Sequence, residues 1–112
     1  MTQLQQLTEL LIQFRDDRNW QQFHDSKNLA LALSIEAAEL NELFLWKNGA
    51  DIEKVDRQKL AEELADVFAY ALLLAHKHDL DVEKIISEKI RINGEKYPID
   101  KSKGSSRKYT EL

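Results

Sequence analysis

The chain has no cysteine, one proline, three glycines and one methionine among its 112 residues. Without cysteine there is no disulfide framework and no thiolate metal site, a composition that suits a reducing cytoplasm. The scarcity of proline and glycine, with only short β-branched runs, argues against a turn-rich β architecture and for helices. Long apolar runs are absent too. The longest, Val67 to Ala75, is about half of the roughly 20 residues that span a bilayer, so no membrane association is expected. The stretch Met1–Gln6 lacks the basic and apolar blocks of a signal peptide. A cytoplasmic location is the expectation. Basic residues are outnumbered by acidic ones, 16 to 20, for a net charge of −4. That balance argues against a general binder of nucleic-acid polymers.

What remains reads as an all-α domain with one core. A first helix is predicted over Thr2 to Asp17, with Leu4, Leu7, Leu10, Leu11 and Phe14 inward. After a connector, Asp25 or Ser26 caps a second helix running to about Lys47, stopped by Asn48-Gly49. A third is predicted from about Val55 to His78. Asp79 or Asp81 caps a fourth, with Val82, Ile85, Ile86 and Ile90 as its apolar stripe, and Pro98 ends it. The division expected is a four-helix domain over residues 1–98 and a basic tail over 99–112, extended or partly mobile. Residues 101–112 carry +3 and the rest of the chain −7. Helices two and three are apolar around most of their circumference, more than a lone small bundle can bury. A homodimer or dimer of dimers (a homotetramer) is the remedy.

Four acids interrupt those apolar helices. Glu36 and Glu39, and then Glu63 and Asp66, are each spaced i, i+3, so each pair shares one helix face. Leu29, Ala32, Leu40 and Leu43 lie on the stripe of the first pair; Val67, Tyr70 and Leu74 lie on that of the second. A solvated acidic face explains many such pairs, but not pairs embedded in apolar stripes on consecutive long helices. Bare carboxylates there cost several kcal/mol and repel one another. A divalent cation is the simplest balance, and four hard oxygen donors without histidine or cysteine suit Mg²⁺, with Mn²⁺ as substitute. A di-iron bundle would want Glu-x-x-His on two helices; His24, His76 and His78 all fall elsewhere. Glu62 points away from Glu63 and reads as solvated or as an outer support.

Lys89, Asn93 and Lys96 recur on one face of the fourth helix, as phosphate donors or as an ordinary solvated face. Trp20 and Trp46 adjoin turns at helix ends, suited to stacking on a flat ring or to core packing. Tyr70 lies one turn beyond Asp66.

At these residues the chain resembles the MazG-like all-α nucleotide pyrophosphohydrolases, in particular their dCTP pyrophosphatase branch. The mark is Glu-x-x-Glu followed by Glu-x-x-Asp, met by Glu36, Glu39, Glu63 and Asp66. Flanking it are Phe14-Arg15-Asp16-Asp17-Arg18-Asn19-Trp20, Gln22-Phe23-His24, Lys27-Asn28-Leu29 and Glu42-Leu43-Phe44-Leu45-Trp46-Lys47. Downstream come Asn93-Gly94-Glu95-Lys96-Tyr97-Pro98 and Ser106-Arg107-Lys108-Tyr109. The resemblance implies that the four acids are metal-binding and catalytic. It implies that Trp20, Trp46 and Tyr70 surround a base and that Asn93, Lys96 and Tyr97 meet phosphates; Lys89 is added to them by its helical spacing alone. One departure is Leu11, where dCTP-branch members carry a histidine near the base. The implied activity is Mg²⁺-dependent hydrolysis of a deoxynucleoside triphosphate, dCTP-like first, to the monophosphate and pyrophosphate, as house-cleaning of the nucleotide pool. A water, with Glu39 or Glu63 as base, is the expected nucleophile. The competing reading is a non-catalytic helical oligomer with structural ions.

Overall fold

A computed structural model describes all 112 residues. It is all-α: α1 (Gln3–Asp17), α2 (Ser26–Glu42), α3 (Arg57–Lys77), α4 (Val82–Lys96) and the short α5 (Ile99–Ser102), with single 3-10 turns at Gln21–Phe23, Gly49–Lys54 and Tyr109–Glu111. The chain divides into two compact units, Met1–Leu80 and Asp81–Leu112. No helix is long and apolar enough to cross a membrane.

Each long helix starts on a side chain that accepts an otherwise orphaned N–H. Thr2 forms a reciprocal capping box with Gln5. Asp25, Asp56 and Asp81 accept from the N–H groups of Asn28, Lys59 and Lys84. The stops use the scarce-glycine alternative, a polar residue in the left-handed region. Asn19 (φ 55°) and Asp79 (φ 53°) follow the last turns of α1 and α3. The Trp20 and Leu80 N–H groups then reach back to Arg15 and Ala75 carbonyls, at 3.0 and 2.9 Å. These are Schellman closures. Asp79 therefore ends α3, while Asp81 begins α4.

In the first unit α2 and α3 pack along their length, and α1 lies against α3. The Ser26 hydroxyl, at the start of α2, is 2.9 Å from Nε2 of His78, just past the end of α3. The two helices therefore run antiparallel. The buried core is small: Leu29 from α2 and Leu72, Leu73 and Ala75 from α3.

Two boundaries differ from the sequence expectation. α2 stops at Glu42 rather than Lys47, because residues 43–47 switch to i→i−3 bonding (Leu43, Phe44, Leu45 and Lys47 N–H groups to Leu40, Asn41, Glu42 and Phe44 carbonyls), with Trp46 left-handed at φ 66°. The C-terminal segment is not simply extended. Pro98 begins α5, where a proline needs no N–H partner, and the Ser102 hydroxyl donates to the Pro98 carbonyl at 2.6 Å.

Candidate metal and substrate site

The antiparallel pairing brings the middle of α2 opposite the second turn of α3. One carboxylate oxygen from each of Glu36, Glu39 and Glu63 lies within 4.8 Å of the others. Glu36 and Glu63 are half-buried and Glu39 is exposed. In Glu36 and Glu63, Oε2 is shielded from solvent and has no hydrogen-bond partner. Two buried acceptors without donors are an uncompensated cost in a folded protein.

The electrostatics follow. Loss of hydration, then the proton-mediated bond and the charge of Glu39, then Asp66 and Glu63, push Glu36 up to about 7. Glu63 is raised by loss of hydration first, then by Glu39, Asp66 and Glu62. Near neutral pH Glu36 is thus protonated about half the time, where an isolated glutamate would have lost its proton. A hard cation would both accept the orphaned oxygens and displace that proton. The donor set fits one.

Asp66 lies outside the grouping of three, one turn along α3 and exposed. Its charge nonetheless acts on Glu36, Glu63 and Tyr70. Tyr70 borders the same place. Burial, then Glu36, Asp66 and Glu39, raise its phenol above the usual value, so it stays protonated and available as a donor. Glu62 is exposed and accepts from the Gln58 amide at 2.9 Å, in keeping with a support rather than a ligand.

Among the aromatics, Trp20 is set by the closure of α1. Its ring meets Phe14 edge-on at 5.8 Å, and the Arg18 guanidinium lies 3.6 Å over Phe14 and 6.0 Å from Trp20. Trp46 is 88% exposed, so core packing does not account for it. A bulky residue held left-handed is an outlier that costs about 1 kcal/mol or more. Lys89 and Asn93 are exposed on α4, Lys96 is its last residue, and Tyr97 is half-buried. These four belong to the second unit.

Two residues carried no role in the sequence reading. His24 sits half-buried with its ring edge-on to Tyr70, 6.4 Å between centroids, and its Nδ1 is buried without a partner. Burial, then the Arg15 charge, lower its pKa, which keeps it neutral at pH 7. Nothing in the sequence tied it to Tyr70. His78 caps the C-terminal end of α3, where the helix dipole favours a histidine. In the structure it also fastens α2 through Ser26.

Known proteins resemble this chain in sequence and in fold. Residues 31–112 match the MazG-like family model. The rat dCTP pyrophosphatase 1 is 39% identical over 97% of this chain and 67% of its own length; the human dCTP pyrophosphatase 1 is 40% identical over the same shares. A pyrophosphatase of known structure from Archaeoglobus fulgidus superposes with a TM-score of 0.81 at 34% identity, covering 88% of this chain and 94% of that one. The resemblance read from the acidic motif thus extends over sequence and fold alike, and the chain belongs to the MazG-like family.

Proposed function

We propose that this chain, a nucleotide pyrophosphohydrolase by its kinship with the dCTP pyrophosphatases, hydrolyses deoxynucleoside triphosphates, dCTP-like pyrimidines first, to monophosphate and pyrophosphate. The observation that carries this reading is the convergence of Glu36, Glu39 and Glu63, with two buried oxygens lacking any donor. An acidic pocket repels a triphosphate unless cations intervene. Mg²⁺, or Mn²⁺ in its place, held by Glu36, Glu39, Glu63 and Asp66, would neutralise the phosphates and polarise the phosphoryl group when bound. The chain's own groups do the rest. Glu39 or Glu63 accepts a proton from the attacking water as its oxygen bonds to phosphorus and the anhydride oxygen leaves with the other phosphoryl fragment. Tyr70, kept protonated, is a donor beside the carboxylates.

Trp20 and Trp46 are assigned to the base. For Trp46, exposure and the left-handed backbone support a role that pays for its strain. Lys89, Asn93, Lys96 and Tyr97 are assigned to the phosphates, within a catalytic region 1–98 followed by the basic segment 99–112. The working form is a homodimer or homotetramer. Leu31, Ile35, Leu64 and Phe68 stand exposed on α2 and α3, and an open groove lined by Ala37, Ala38, Leu40, Asn41 and Phe44 lies on α2. A second copy would remove that apolar surface from water. House-cleaning of a cytoplasmic nucleotide pool is the biological role that fits.

The test is a panel of dNTPs and NTPs incubated with and without Mg²⁺, with pyrophosphate and orthophosphate measured separately. The expected products are monophosphate and pyrophosphate, lost in Glu36→Gln and Glu63→Gln variants that still fold. Orthophosphate as the main product would make the chain a phosphatase, and no turnover at all would favour the non-catalytic oligomer.

A further inference from the structure

The second unit contains a cationic group that is the counterpart of the acidic cluster. On α4, Arg91 takes both nearby acids: its Nη2 is 2.7 Å from Glu88 and its Nη1 2.7 Å from Glu95. The two remaining ion pairs in the chain, Arg15–Asp16 and Lys54–Asp51, lie in the first unit. Lys89, Lys96, Lys101, Lys103, Arg107 and Lys108 are therefore left without carboxylate partners. The tail's charged side chains are exposed, but the tail itself folds back against the end of α4. Tyr109 packs edge-on against Tyr97, 6.0 Å between centroids at 80°, and the Lys96 Nζ stands 4.9 Å over the Tyr109 ring.

That contact has a geometric consequence. Lys108 and Arg107 directly precede Tyr109, and successive Cα atoms are ~3.8 Å apart. Docking Tyr109 onto the end of α4 thus places the backbone of both cationic residues close to that end. The Arg107 N–H is held by the Ser105 hydroxyl at 3.2 Å, so the turn leading there is shaped rather than loose. An aromatic face attracts an ammonium without accepting its N–H bonds in line, so Lys96 keeps donors for an oxyanion. Glu111 follows two residues after Tyr109 but pairs with none of the three cations, and a multiply charged anion would offset the repulsion among them.

We propose that the end of α4 and the folded-back tail form a diphosphate-binding surface, with Lys96, Arg107 and Lys108 as donors and Tyr109 as the positioning residue. The inference rests on the nucleotide reading for its natural ligand, the polyphosphate of a nucleoside triphosphate or the pyrophosphate released from it. The guanidinium of Arg107 suits two oxygens of one phosphate, and the ammonium groups suit the flanking oxygens.

The experiment is calorimetric titration of the full chain with sodium pyrophosphate in EDTA, where the acidic cluster has no means of binding an anion. Wild type is expected to bind. Arg107→Gln with Lys108→Gln should weaken binding by about three- to tenfold, Tyr109→Ala likewise, and Tyr109→Phe should retain it. Lys84→Gln, at the opposite end of α4, should leave it unchanged. Equal affinity in wild type and the Arg107/Lys108 double variant overturns the proposal, as does equal loss in Lys84→Gln or identical behaviour of Tyr109→Ala and Tyr109→Phe. Parallel titrations with dCTP and dCMP identify the source. Weakening of dCTP but not dCMP assigns the surface to the nucleotide's polyphosphate; weakening of pyrophosphate alone assigns it to the released product. Failure of the nucleotide reading would look different: no dNTP turnover by wild type, with pyrophosphate binding intact.

Discussion

Replacing Glu36 with glutamine should make the metal-free protein more stable while abolishing its response to metal. The rise of this carboxyl from its ordinary 4.5 to about 7 would be worth roughly 3 kcal/mol at full weight. Glu36 is partly solvated and shares protons with its neighbours, so screening reduces the gain to about 1–2 kcal/mol. The sign follows from proton counting. Between pH 4.5 and about 7 the folded chain holds a proton that the unfolded chain has released, so stability falls as pH rises through that window. The cost is absent below it and complete above it. Glutamine keeps the shape and removes the charge. In EDTA, thermal unfolding of Glu36→Gln should match wild type at pH 4.5 and exceed it at pH 8. The excess should be several degrees, since each kcal/mol moves Tm by roughly 4–8 °C in a domain of this size. Added Mg²⁺ should then raise the wild-type Tm and leave the variant nearly unmoved. A variant less stable than wild type at pH 8, or one that keeps the full Mg²⁺ response, would refute the reasoning.

Trp46→Gly relieves a left-handed tryptophan, so it should leave Tm unchanged or raise it by the equivalent of about 1 kcal/mol, while KM for the preferred dNTP rises; a lowered Tm with unchanged KM would assign Trp46 to structure instead. Phe68→Asp places a charge on the exposed face of α3, where Phe68 is 61% exposed; light scattering should show a shift from oligomer to monomer, and an unchanged mass would remove that face from the interface. Ser26→Ala removes the contact with His78 and should cost about 0.5–1 kcal/mol in urea unfolding. His78→Ala should add little on top of it, because the pair acts as one contact.

The parts of the molecule that were legible in the sequence are those written as periodic signals. The i, i+3 spacing of Glu36 with Glu39 placed both on one face of α2, and Glu63 on the matching face of α3 follows from the same rule. Asp25 and Asp81 announced helix starts because a short carboxylate before an apolar run has few other uses. Asp66 shows where periodicity stops being enough. It shares a stripe with Glu63, yet its carboxylate, one turn on, is exposed and lies outside the grouping of Glu36, Glu39 and Glu63. The end of α2 was obscured for a related reason. Asn48-Gly49 is a strong stop, but the chain had already tightened around Leu43–Trp46, where a tryptophan adopts a conformation that local propensity disfavours. The contacts of His24 with Tyr70, Ser26 with His78 and Lys96 with Tyr109 join residues far apart or across a turn. No spacing rule encodes them. Local propensity and function diverge most at Trp46, where the sequence departs from the residue its backbone would favour. An exposed, strained aromatic ring is a feature that packing within the fold does not account for, and the nucleotide base proposed above is a partner whose flat face would match it.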